Sequence, residues 1–291
     1  MRAPLTRHEL SAPGPGAWLR MVGALCVAGM TLAACGQPAP GHGQAATRTS
    51  AATWAPDVGT SWQWQLNTGD IDTRPAVAVY DIDGFVVDAS TVEQLHEAGR
   101  RVICYIDVGG WESYRPDADD FPESVLGNAV DGWPDERWLD VRQLDVLEPI
   151  MAARFDMCQE KGFDAIEADL VETYAESGTG LSITKADQIA YNRMLARLAH
   201  ERGMSIALKN AAGLVPELVD VFDFAVVEEC YRYRECEAYS PFIDQAKAVL
   251  HVEYSVEIEE FCDFTTSLGF SSMRKRLELD AWRQACPESG G

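Results

Sequence analysis

Along most of this chain two hydrophobic patterns take turns. A stretch with apolar residues three and four apart runs to a glycine, and a short, nearly unbroken apolar run follows that closes on acidic or amide residues. Val92, Leu95 and Ala98 share one helical face. Ser90 to Glu93 has capping-box spacing, and Gly99 is placed to stop the helix. The run RRVICYIDVGG comes next. Leu144, Leu147, Ile150, Met151 and Phe155 mark a second helix ending at Gly162, ahead of FDAIEAD. Thr184 caps a third helix, which runs through Tyr191, Leu195 and Leu198 to Gly203, ahead of MSIALKN. Shorter helices near 216–221 and 242–246 precede FDFAVVEEC and KAVLHVEY.

With SWQWQLN and PAVAVYDID at the front, these runs predict seven strands, at 62–67, 76–83, 102–108, 164–169, 205–210, 223–229 and 248–254, and an eighth around 268–271. Strands that alternate with helices pair in parallel through right-handed crossovers. Eight such units over about 235 residues predict an α/β fold, a single-domain (β/α)8 TIM-like barrel. A doubly wound open sheet is the alternative; the missing Gly-x-Gly-x-x-Gly after the first strand counts against it.

The first residues follow neither pattern. Arg2, Arg7 and Arg20 precede an apolar run, Met21 to Ala34, that ends Leu-Ala-Ala-Cys at Cys35. Fourteen residues suit the core of a signal peptide better than a bilayer span. The ending resembles a bacterial lipobox, so residues 1–34 are expected to be cleaved and Cys35 lipidated. An ordinary secretory signal cut nearby is the alternative. Residues 35–56, rich in Gly, Pro, Ala, Ser and Thr, read as a flexible tether, and 57–291 as the domain. An extracytoplasmic, membrane-anchored monomer is the expectation.

That placement changes how the cysteines and the charge are read. Of the eight cysteines, Cys26 lies in the signal and Cys35 at the anchor. The other six are expected to form disulfides, with Cys230–Cys236 and Cys262–Cys286 favoured and Cys104 and Cys158 left over. His96, His200 and His251 are scattered, with no ligand spacing, so neither a metal nor another cofactor is expected. Cleavage takes the formal charge from −22 to −24 over 257 residues, by removing Arg2, Arg7, Arg20 and Glu9. Such a surface excludes nucleic acid as a partner and permits a cationic one.

In a barrel of this kind the chemistry lies at the C-terminal ends of the strands. Here those ends carry Asp81 and Asp83; Asp107, with Trp111 and Glu112 beyond; Glu167 and Asp169; Lys209 and Asn210; Glu228 and Glu229; and Glu253 and Tyr254. A carboxylate after a strand is commonly a cap or a solvated loop residue. Several of them converging on one rim, with aromatic rings, suit sugar hydrolysis: one carboxyl protonates the leaving oxygen, another attacks or activates water, and flat rings stack on the sugar. No Gly-x-Ser-x-Gly elbow, phosphate-binding loop or paired catalytic Cys and His competes with this reading.

The stretches VICYIDVGGWE, GFDAIEADLVETY, ALKNAAGLVPELVDVFDFAVVEECYRYRECEAYSPF and KAVLHVEY resemble glycoside hydrolase family 114, a family of endo-α-1,4-polygalactosaminidases with a TIM-barrel-like fold. The resemblance runs from about Trp62 to Cys286. It implies that Asp169, in Gly162 to Asp169, and Glu228, in Val227 to Cys230, are the catalytic carboxylates. Asp169 would be nucleophile or base and Glu228 general acid, with swapped roles as the rival. Leu170 and Val227 stand where the family often has Asn, a departure that bears on substrate contacts.

Two residues apart on one strand, Glu167 and Asp169 face the same side, so Glu167 would sit one layer deeper, as a structural partner that orients Lys209 or raises a neighbour's pKa. Asp83, Tyr105, Asp107, Trp111, Glu167, Lys209, Asn210 and Tyr254 are the expected substrate contacts. The expected activity is endo-hydrolysis of an α-1,4-linked galactosamine polysaccharide, cationic or partly deacetylated. A catalytically silent polysaccharide-binding lipoprotein and an α-glycosidase of other specificity are the alternatives.

Overall fold

The structure, a computed structural model, describes residues 53–67 and 69–287. Cys35, the signal segment and nearly all of the tether lie outside these residues. Each predicted apolar run forms a strand: β1 (Trp62–Gln65), β2 (Val79–Asp83), then helix α1 (Ala89–Glu97) and β3 (Arg101–Asp107). An excursion follows, with β4 (Gly110–Glu112), β5 (Leu126–Val130) and β6 (Trp133–Leu139). The alternation resumes with α2 (Leu144–Lys161), β7 (Ala165–Asp169), α3 (Lys185–Glu201), β8 (Ser205–Lys209), α4 (Val215–Leu218) and β9 (Phe224–Glu228). After α5 (Cys230–Tyr233) and α6 (Ser240–Asp244) come β10 (Val249–Glu253), α7 (Ile258–Ser267), β11 (Ser271–Arg274) and the short β12 (Gln284–Ala285).

The main sheet has the order β1-β2-β3-β7-β8-β9-β10-β11-β12. All neighbours are parallel except the last pair. Each strand turns alternate residues inward. Trp62, Trp64, Val79, Ile103, Ala165, Ala207, Phe224, Val226, Leu250, Val252 and Met273, from all eight principal strands, meet in one buried cluster, the filled interior of a TIM-like barrel. Side chains and loop amides bridge β1 and β11: the Trp62 indole donates to the Ser271 carbonyl (2.9 Å), and the Leu66 amide to the Leu279 carbonyl (3.1 Å). The outward residues of the strands, such as Ile82, Cys104, Ile166, Ile206 and Val227, pack against Leu147, Phe155, Tyr191 and Leu195 of the helices in a second, larger core.

Three local expectations are corrected. Helix α1 is capped by Asp88, whose carboxylate accepts the Thr91 amide at 2.9 Å, so Ser90 sits inside the first turn. The loop before it is pinned by Lys161 Nζ on the Gly84 and Val87 carbonyls (both 2.7 Å), which places the start two residues earlier. The eighth strand spans 271–274 rather than 268–271, because Leu268 caps α7 and Gly269 turns at φ 84° before the chain can extend. The segment 110–139, read without strands, forms a separate antiparallel sheet of order β4-β6-β5. Its longest strand, WPDERWL, has neither an apolar run nor clean alternation.

Three disulfides brace this frame: Cys104–Cys158, Cys230–Cys236 and Cys262–Cys286. The two cysteines left over in the sequence reading are thus joined, tying β3 to α2 through the outer core. A Cβ on Gly84 would run into the Cys104 sulphur, so only glycine lets the chain pass there. This bridge closes 54 residues, and loop-closure entropy assigns such a cross-link about 4 kcal/mol. Cys104→Ser/Cys158→Ser is therefore expected to melt roughly 10 °C lower in calorimetry. An unchanged Tm would show that the bridge adds nothing to the packing around it.

Candidate active site

The C-terminal ends of β2, β3, β7, β8, β9 and β10 open into a cleft of about 430 Å³, roofed on one side by the small sheet. At its floor lies Lys209, 3% exposed. Its ammonium stands 3.0 Å from Asp169 Oδ1, 3.1 Å from Glu228 Oε2 and 3.4 Å from Glu167 Oε1. It also lies 4.9 Å from the centre of the Trp64 ring. Burial alone would strip this proton, but Asp169, Glu228 and Glu167 outweigh it and hold the lysine well above its ordinary pKa.

Asp169 and Glu228 are each held a second time. The Tyr105 hydroxyl donates to Asp169 Oδ2 at 2.9 Å, and the Tyr254 hydroxyl to Glu228 Oε1. Asn210 donates its Nδ2 to Glu228 Oε2 (3.2 Å) and accepts the Glu228 amide (2.9 Å). Burial raises both phenols well above their usual range, so each remains a donor. Burial also pushes Glu228 up, yet Lys209, Tyr254 and Asn210 together leave it below the usual glutamate value. The two carboxylates lean on one ammonium, so their facing oxygens lie at most 6.1 Å apart (the 3.0 and 3.1 Å contacts laid end to end).

The backbone that presents these groups is strained where it turns. Leu170, Asn210, Ala211 and Glu229, directly after β7, β8 and β9, have φ of 59°, 49°, 59° and 53°. Left-handed residues other than glycine each cost roughly 1–3 kcal/mol, and such strain collects where function demands a particular side-chain direction. Asn accepts this conformation more readily than Leu, which gives Leu170 a physical cost at a position where the family often has Asn. A Cβ on Gly109 would collide with the Leu170 carbonyl, so this glycine is required by the same turn.

Of the residues expected to contact substrate, Asp83, Tyr105, Asp107, Lys209, Asn210 and Tyr254 line the cleft with Asp169 and Glu228. Two do not. Trp111 points away from the cleft and donates its indole to the Ala118 carbonyl (3.0 Å), because alternation along β4 turns Gly110 and Glu112 inward instead. Glu167 is fully buried under Lys209, its Oε2 accepting the Trp64 indole at 2.9 Å, so sugar cannot reach it. Asp83 lines the cleft but is already engaged, in a two-pronged bond from Arg115 (3.0 and 2.9 Å). Asp107 accepts the Gly109 and Gly110 amides at 3.0 and 2.7 Å, and burial raises its pKa well above the usual range. Val227 packs in the outer core against the helices, so its departure from Asn leaves the cleft untouched.

The sequence reading missed Arg115, Trp133, Glu136 and Trp138, which line the cleft from the small sheet and its approach, and Trp64 at the floor. Arg115 ties Asp83 to Glu112 (2.7 Å) and so fastens the small sheet to the barrel. The one available signal was Trp133 and Trp138 five residues apart, and nothing local says that their segment folds back over the barrel mouth. Among the described residues one group approaches a metal-ligand set, Cys230, Cys236 and His251. Its two sulphurs are bonded to one another, so it offers no thiolate.

A profile of the glycoside-hydrolase family GH114 matches residues 43–290. The chain belongs to that family. As a GH114 member it is a glycoside hydrolase. It is similar to Ega3 of Aspergillus fumigatus, solved in complex with galactosamine: 39% identity, 82% of this chain and 100% of that one covered, and a TM-score of 0.77. The glycoside hydrolase domain of PelA from Pseudomonas aeruginosa shares the fold at 13% identity, covering 77% of this chain and 97% of its own, with a TM-score of 0.59. No curated protein matches.

Proposed function

We propose that this GH114 enzyme cleaves internal α-1,4 bonds of a galactosamine polysaccharide with retention of configuration, Asp169 acting as nucleophile and Glu228 as general acid and base. The observation that carries this is the pair of carboxylates facing each other across Lys209 in an open, aromatic-walled cleft. Both carboxylates rest on one ammonium, Asp169 Oδ1 at 3.0 Å and Glu228 Oε2 at 3.1 Å, which brings them to bear on a single glycosidic bond, and the retaining reading takes them as the close pair that attacks directly. In the first step Asp169 Oδ attacks the anomeric carbon, the glycosidic C–O bond breaks, and Glu228 gives its proton to the leaving oxygen. In the second step Glu228 takes a proton from water, whose oxygen displaces Asp169 from the anomeric carbon.

Both forms of Glu228 are needed in turn. The contacts from Lys209, Tyr254 and Asn210 favour its carboxylate, the form that activates water. A bound sugar covers the 21% of its side chain that is exposed, and loss of that water favours the proton-bearing acid of the first step. The presence of both carboxylates supports the enzyme over a silent binding module, which need keep neither. Galactosamine as the sugar is supported by the likeness to Ega3, crystallised with that ligand.

Glu112, Glu136, Glu172 and Glu176 line the cleft and would draw in a polymer bearing free amino groups. Raising the ionic strength is then expected to lower kcat/KM on deacetylated polygalactosamine several-fold more than on the fully acetylated polymer. The test is release of reducing ends, with the anomer of the new end read by NMR before it mutarotates. Release of the β anomer would overturn retention, and binding without release would overturn hydrolysis of this polymer. Equal salt effects on the two polymers would show that the acidic wall only keeps the protein soluble. The enzyme is further proposed to act outside the cytoplasm as a monomer held to a membrane through lipid on Cys35. Three disulfides support the oxidising compartment.

A further inference from the structure

Beneath the reacting pair lies a carboxyl group with no assigned role. Asp81, on β2, is fully buried, and neither of its oxygens has a donor among the described residues. The carboxyl that bears on it is Glu167, equally buried on β7, whose Oε1 likewise has no donor among the described residues. Two carboxylates are both acceptors. They can bond only if one of them carries a proton, and without it two like charges would sit together with no water. Glu167 has the better claim to the negative charge: the Trp64 indole donates to it at 2.9 Å and the Lys209 ammonium stands 3.4 Å away, whereas Asp81 has neither.

We propose that Asp81 is a positioning residue: a permanently protonated carboxylic acid that donates its O–H to Glu167 and so keeps Glu167 as the anion anchoring Lys209 below Asp169 and Glu228. Lys209 is then shared three ways, and the charge on Glu167 sets how strongly the ammonium acts on the reacting pair. The other ionisable groups bearing on Asp81 and Glu167 are Asp169 from β7, Lys209 from β8 and Glu228 from β9. Burial raises both carboxyls, Asp81 well above the carboxylate range and Glu167 less far, because Lys209 draws Glu167 down. The inference rests on the reading of Asp169 and Glu228 as the reacting pair for its effect on catalysis, though not for the proton itself.

The test joins a spectrum to a pH profile. Infrared difference spectroscopy between the parent protein and Asp81→Asn, at a pH where ordinary carboxyls are ionised, is expected to show a protonated-carboxyl C=O stretch that the variant loses. In the pH profile of kcat, Glu167→Gln removes the charge below Lys209, strengthens its pull on Glu228 and moves the alkaline limb down by about one pH unit. Asp81→Leu, which takes away the donor and lets Glu167 take up a proton, is expected to move that limb the same way. Asp81→Asn, whose amide donates in place of the acid, leaves the limb in position. Absence of the infrared band, a limb moved by Asp81→Asn, or an unmoved limb in Asp81→Leu or Glu167→Gln each overturns the proposal. Should Asp81→Leu fail to fold, the spectrum and the other two variants decide. Activity surviving in Asp169→Asn or Glu228→Gln would instead sink the reading of the reacting pair and leave the spectrum standing.

Discussion

Asp169→Asn and Glu228→Gln are each expected to lower kcat on polygalactosamine by at least about 10³-fold, since one removes the nucleophile and the other the proton donor. Both substitutions keep shape and a hydrogen-bond acceptor toward Lys209, so Tm should hold close to the parent's and separate lost chemistry from lost fold. Added azide distinguishes the two roles. In Glu228→Ala it attacks the sugar bound to Asp169 and gives a glycosyl azide of retained α configuration. In Asp169→Ala it attacks in place of the carboxylate, Glu228 still protonating the leaving oxygen, and gives the β azide. Interchanged products would mean that the roles are swapped; near-normal turnover by either amide variant would dismiss the pair altogether.

Lys209→Met should have the second largest effect, on stability and activity together. The ammonium is the one cation within 3.5 Å of Glu167, Asp169 and Glu228 among the described residues. Its removal leaves buried carboxylates facing one another, and breaking a buried ion pair by deleting one partner costs about 3–5 kcal/mol. The sign of the pH dependence follows. Without Lys209 the folded-state pKa of Glu228 moves from below its usual value to above it, since burial is then largely unopposed. A carboxyl raised in the folded state favours folding below its unfolded pKa of about 4.3 and disfavours it as pH climbs toward the folded value. The deficit in Tm is therefore expected to be small in acid and to grow toward neutrality. The alkaline limb of kcat/KM should move up in parallel, because Glu228, the proton donor, then keeps its proton to higher pH. A deficit equal at acid and neutral pH would show that the lysine acts as packing rather than as counter-charge.

These expectations depend on geometry that the sequence disclosed unevenly. The strands at 205–209 and 224–228 were legible because parallel barrel strands are buried on both faces and read as continuous apolar runs. Helix α3 was legible through Thr184 and Asp187, which form a capping box that local chemistry alone dictates. The sheet of β4, β5 and β6 was not. Its strands are partly exposed and send cleft-lining residues out at irregular spacing, so Trp133, Glu136 and Trp138 obey neither period. Trp111 looked like a sugar platform by its position, yet the pleat of a three-residue strand turned it to the Ala118 carbonyl.

The sequence by itself determined the repeat of helix and strand, hence a barrel with its chemistry on one rim, and through the family's motifs it singled out Asp169 and Glu228. Those are consequences of short-range rules: period, caps and residue type near a strand end. The tertiary structure alone decided which acids reach the cleft and which are buried beneath it. Asp81, Glu167, Asp169 and Glu228 come from three strands spread over 147 positions of chain, and Lys209 from a fourth. Their charges are set by distances to one ammonium and by exclusion of water, and neither quantity exists until the barrel closes.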